Sequence, residues 1–162
     1  MILAGIDPGV TTGLAAWSPA QNRLLRVHSA GIIEAMRWIL EDATFLGEPH
    51  GGLLVVWEDC RQHRVYGAGQ RNSGALQGVG SVKRDCGIWE EFLSTHAIPY
   101  ITRQPRRTRT KLNAEQFQVA TGWTDRSNNH GRDAAMLVAG VTETMARAWL
   151  AEAQQRGAKK WA

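Results

Sequence analysis

Leu53-Leu-Val-Val-Trp-Glu58 is an uninterrupted apolar run of strand length that closes on an acid. A strand with no polar alternation is covered on both faces, so it demands a sheet with helices packed on each side. Residues 2–7, Ile-Leu-Ala-Gly-Ile-Asp, repeat the pattern and also end on an acid. Pro8-Gly9 then turns the chain, Thr12 to Trp17 returns as a second strand, and Arg23 to Ala30 forms a third beyond the turn at residues 18–22. Glu34 to Leu46 carries Met36, Ile39, Leu40 and Ala43 at amphipathic-helix spacing. After the Leu53–Glu58 run, a polar loop spans Cys60 to about Asn72. A long helix is expected from Ser73 to Thr95, a short strand over Pro99–Thr102 and a short helix over Leu112–Ala120. Residues 124–131 read as a loop and a last helix begins near Arg132, presenting Ala134, Leu137, Val138, Val141 and Met145. A meander followed by crossovers predicts an α/β domain over residues 1–153, a mixed five-stranded sheet flanked by helices. The polar tail from Gln154 is expected to fray.

The 162 residues suit one domain, and no apolar stretch reaches the roughly 18–20 residues a membrane-spanning helix needs. The N-terminus has no basic leader and meets Asp7 early, which argues against a signal peptide and for a cytoplasmic chain. Cys60 and Cys86 are then expected as reduced thiols, one or both buried, and they lack companions at zinc spacing. A net charge of +4 is a weak pointer to a polyanionic partner. The clustering of Arg103, Arg106, Arg107, Arg109 and Lys111, with no acid among them, is a better one. Trp57 and Trp89 lie on apolar faces and read as core. Gly74, Gly78 and Gly80 in the long helix each cost about 1 kcal/mol against alanine. They fit either close packing of a partner helix or contact with the sheet.

Asp7 and Glu58 close two buried strands, and Asp133 stands at the last helix three residues after His130. If the two strands are parallel neighbours, both acids leave the same sheet edge, where ligands gather in folds of this class. His130 and Asp133 share a helical face and can be brought over that edge. Converging carboxylates repel unless a cation lies between them, and oxygen donors suit Mg²⁺ or Mn²⁺. Two such ions roughly 4 Å apart activate water for in-line phosphoryl displacement. The plainer alternatives are a turn-capping Asp7, a surface Glu58 and a first-turn Asp133; three coincidences in this order are harder to accept than one.

Gly5-Ile-Asp7-Pro-Gly-Val-Thr-Thr-Gly13, Val56-Trp-Glu58, the Gly74–Lys83 stretch and His130-Gly-Arg-Asp133-Ala-Ala together resemble the RuvC family of Holliday-junction resolvases. The resemblance runs in order from about residue 2 to about residue 142. It implies an RNase H-like fold, a homodimer, and symmetric nicking of four-way DNA junctions that leaves 5′-phosphate and 3′-hydroxyl ends. It also implies metal binding and catalysis by Asp7, Glu58 and Asp133, with His130 as a further ligand or proton carrier. Lys111 is expected near the scissile phosphate. Arg103, Arg106, Arg107, Arg109 and Lys111 are expected to bind DNA, with Arg61, Arg64 and Arg71 as a second set. The family wedges an aromatic residue into the junction from the loop after the glutamate; the equivalent spot here holds Arg61, and Tyr66 is that loop's only aromatic. Three other readings are compatible with the residues: a phosphate loop of the actin-like sugar kinases and ATPases, a nuclease for RNA, hybrids or other branched DNA without junction specificity, and a non-catalytic junction-binding module, against which the intact acid set argues.

Overall fold

The computed structural model describes residues 1–45, 52–62, 73–104 and 111–160. Strands β1 (Ile2–Asp7), β2 (Thr11–Ser18) and β3 (Arg23–Gly31) form the antiparallel meander, and helix α1 (Ile32–Phe45) follows it. Strand β4 (Leu53–Glu58) leads through a 3₁₀ turn at Cys60–Gln62; helix α2 (Ser73–Thr95), strand β5 (Tyr100–Arg103) and helix α3 (Ala114–Thr121) come next. The chain closes with α4 (Asn129–Ala135) and α5 (Glu143–Lys160). The sheet order is β3-β2-β1-β4-β5, with β4 parallel to both β1 and β5. This is the expected mixed five-stranded sheet, in the RNase H-like arrangement.

Side-chain alternation sorts the sheet into two cores. Leu3 of β1, Trp17 of β2, Leu54 and Val56 of β4 and Ile101 of β5 face α3, α4 and α5, packing on Phe117, Ala134, Val138 and Ala146. Ala4, Ile6, Leu14, Val55 and Trp57 face the other way, onto Ile39 of α1 and Cys86, Trp89 and Leu93 of α2. β1 and β4 are therefore buried on both faces, which is why their sequences carry no polar alternation. Trp57 and Trp89 are fully buried, as expected.

The C-terminal third departs from expectation. The single last helix is in fact two. α4 ends at Ala135, Gly140 takes a left-handed φ of 78° that only glycine adopts freely, and α5 starts afresh. The turn between them is pinned to the sheet by Trp17 Nε1, which donates to the Val141 carbonyl at 2.8 Å. α5 also continues to Lys160, through most of the segment expected to fray. Its alanine, glutamine and arginine content favours helix, and the Glu143–Arg147 and Glu152–Arg156 pairs support it at i,i+4. No described helix is long and apolar enough to cross a membrane.

Candidate active site

Strand parity places the acids. The β1–β4 register pairs Gly5 with Val56 and Ile6 with Trp57, so Asp7 and Glu58 leave two adjacent parallel strands side by side. Leu3 and Val56 face α3–α5, and alternation puts Asp7 and Glu58 on that same face. The turn after β1 does not depend on Asp7 as a cap: Thr12 Oγ1 donates to the Gly9 carbonyl at 3.0 Å and closes it.

α4 is brought onto this edge by an absence of side chains. A Cβ on Gly5 would sit 2.2 Å from the Ala134 carbonyl oxygen, and one on Gly13 would sit 2.0 Å from that of His130. Both obstacles are backbone, which cannot swing aside. A Cβ on Gly131, within α4, already has neighbours at 3.0 Å in β3, the His28 carbonyl and Val27. Glycines on β1, β2 and α4 thus let helix and sheet meet backbone to backbone. The helix start is set by Asn128, whose side chain accepts from the Gly131 N–H at 2.9 Å and whose amide donates to Ser29 Oγ of β3. This cap starts α4 at Asn129, earlier than the expected start near Arg132, so His130 lies in its first turn and shares the helix with Asp133 as their spacing implies.

Two pairs result. His130 Nδ1 lies 3.3 Å from Asp7 Oδ2, and Lys111 Nζ lies 3.2 Å from Asp133 Oδ2. Burial holds the Asp7 carboxyl above its ordinary range; the His130 contact pulls it down, and the nearby Asp133 carboxylate pushes it up again. The Cys60 thiol is held protonated by its hydrogen bond with Cys86, then by burial, and it also feels the Glu58 and Asp7 carboxylates. Cys60 and Cys86 are free thiols, Cys86 buried.

Among the described residues no three His, Cys, Asp or Glu side chains close around a single point. The donors still fit a hard octahedral cation, which is typically held by one or two carboxylates and completes its shell with water and substrate phosphate oxygens. Asp7 and Asp133, one sensing the other's charge, meet that requirement; Glu58 leaves the adjacent strand beside them.

The basic residues fare differently. Arg61 is engaged on the α2 side of the sheet, away from the acids. Its guanidinium grips both oxygens of Asp59 at 2.8 Å, reaches Glu90 Oε2 at 2.7 Å, and lies 5.5 Å from the Trp57 ring centre. Tyr100 Oη donates to the other Glu90 oxygen at 3.3 Å. Arg103 stacks over Trp149 of α5 at 4.1 Å. Arg64, Tyr66, Arg71, Arg106, Arg107 and Arg109 lie outside the described residues. Sequence reasoning missed Asn128 and the sheet glycines as builders of the site; an asparagine before a helical stretch was the available signal.

No protein-family model and no curated protein matches the sequence. Solved structures do match. A Thermus thermophilus RuvC in complex with a Holliday junction substrate superposes with a TM-score of 0.55 at 18% identity, covering 94% of this chain and 96% of that one. The fold is that of RuvC. A second T. thermophilus RuvC structure gives a TM-score of 0.53 at 17% identity, over the same shares of the two chains. The RuvC-like architecture thus spans nearly the whole chain despite the low identity.

Proposed function

We propose that this chain is a Holliday-junction resolvase, a structure-specific endonuclease that nicks four-way DNA junctions with the help of Mg²⁺ or Mn²⁺. The observation that carries the reading is the convergence of β1, β4 and α4, which gathers Asp7, Glu58, His130 and Asp133 at one sheet edge of a RuvC-like fold. Asp7, Glu58 and Asp133 would hold the metal, with His130 beside Asp7 as a fourth donor or proton carrier. Such ions, when bound, would supply an activated water and neutralise charge at the phosphodiester.

The protein's own groups do the rest. His130, 3.3 Å from Asp7, would serve beside that carboxylate as a proton carrier or a further metal donor. Lys111, exposed and paired with Asp133, offers an ammonium to the charge that develops on the phosphate. Arg103, Arg106, Arg107 and Arg109 lead into Lys111 and would grip backbone phosphates without reading sequence. Arg64, Tyr66 and Arg71, which follow β4 in the sequence, are proposed to meet the junction. A homodimer would match the two-fold symmetry of a four-way junction and give paired nicks with 5′-phosphate and 3′-hydroxyl ends.

The test is incubation of labelled four-way junction, matched duplex and RNA–DNA hybrid with Mg²⁺, Mn²⁺ or EDTA, alongside Asp7→Asn. Paired nicks in the junction alone, lost in EDTA and in Asp7→Asn, are expected. Equal cutting of all substrates would keep the nuclease and remove the junction specificity. A gel shift with no cleavage in any metal would leave only a binding module.

A further inference from the structure

Arg132 lies in sequence between His130 and Asp133, and nothing in the proposed chemistry uses it. It is buried, 8% exposed, yet among the described residues each acceptor of its guanidinium is neutral. Nε donates to the Leu112 carbonyl at 2.9 Å, and Nη1 to the Ser127 carbonyl at 2.8 Å and to Ser127 Oγ at 3.4 Å. Nη2 donates to Asn129 Oδ1. Burying a guanidinium on neutral acceptors is costly, and an apolar side chain of similar volume would avoid that cost. What the apolar side chain lacks is the rigid fork, which fixes several acceptors in one plane.

The acceptors belong to two chain segments that both end at the site. Leu112 directly follows Lys111 and precedes Asn113, the cap of α3. Ser127 and Asn129 flank Asn128, the cap of α4. Arg132 itself precedes Asp133. We propose that Arg132 is a positioning residue: by holding the Leu112 carbonyl against α4, it places Lys111 over Asp133. This deepens the nuclease reading, on which Lys111's role in charge stabilisation rests, but the placement itself can be measured without cleavage.

The placement is read by the rate at which Lys111 Nζ is acetylated by an activated ester, followed by mass spectrometry with exposed Lys83 of α2 as internal reference. In Arg132→Lys and Arg132→Gln, Lys111 should react about two- to fivefold faster relative to Lys83, the range an exposed ion pair's strength allows. It should approach its rate in Asp133→Asn. An unchanged Lys111 rate in either variant with native circular dichroism would overturn the proposal. In the unsubstituted protein the Arg132 Nε–H should exchange slowly by NMR; fast exchange would equally sink the idea. For junction nicking, Lys111→Ala should lower kcat in the wild-type background and much less in Arg132→Lys, with KM unaffected, whereas a merely structural Arg132 predicts equal losses. If no form of the protein cuts DNA, the nuclease reading fails, and the acetylation and exchange results still decide Arg132.

Discussion

Asp7 has its carboxyl raised first by burial, so folding favours its protonated form. When the folded value lies above the unfolded one, the stability contribution is largest at low pH and falls as pH rises through that window. At neutral pH an ionised Asp7 is therefore a penalty in the metal-free protein. Asp7→Asn should melt at a higher temperature than wild type in EDTA at pH 7, and the gap should close as pH falls below the ordinary carboxylate range, where the group is protonated in both folded and unfolded chains. Thermal melts at neutral and acid pH check this; a lower melting temperature at pH 7 would show that His130 outweighs the burial. A residue that weakens the fold while standing at a strand end beside a histidine and another carboxylate is the expected mark of function over stability. Arg61 is the opposite kind. Its loss in Arg61→Ala removes both guanidinium bonds from Asp59, whose side chain is 5% exposed and which keeps the bond from the residue 61 backbone N–H, and should cost about 1–3 kcal/mol in urea unfolding. Junction affinity of the folded variant should barely move, since its guanidinium serves the α2 side of the sheet.

Elements meet at this site because particular glycines allow it. Gly13→Ala drives a methyl into the His130 carbonyl, so α4 must shift; a loss of about 1–3 kcal/mol is expected, with weaker Mn²⁺ binding by calorimetry. Gly80 of α2 is the contrast. A Cβ there meets nothing within 4 Å, which removes contact with the sheet as its reason. Gly80→Ala should stabilise an isolated chain by about 0.5–1 kcal/mol. If the proposed partner helix packs at that point, the same change should weaken the dimer in sedimentation instead. The split between α4 and α5 was legible in principle. Gly140 followed by Thr142 and Glu143 reads as a helix stop and a new start, a signal outweighed by the apolar residues that continue on either side.

At the scale of the whole molecule, the site joins residues far apart in sequence: Asp7 meets His130 across 123 positions. DNA binding should be dominated by charge, as the net +4 and the run after β5 suggest. Each phosphate neutralised adds about 0.9 to the slope of log affinity against log salt, so Arg106→Ala with Arg107→Ala should flatten that slope by roughly two in a titration of junction binding. The strands, the helix before β4 and α2 follow from local pattern, as does the face each strand-end acid takes; that Asp7 and Glu58 stand side by side rests on the long-range pairing of β1 with β4. An uninterrupted apolar run declares burial on both faces, and period-two alternation carries each strand-end acid to a definite side. The pairing of His130 with Asp7, of Lys111 with Asp133, and of Arg61 with Asp59 and Glu90 was decided only by tertiary structure. Those contacts depend on how closely α4 and α2 approach the sheet, and that distance is set by small residues and backbone contacts contributed from distant parts of the chain.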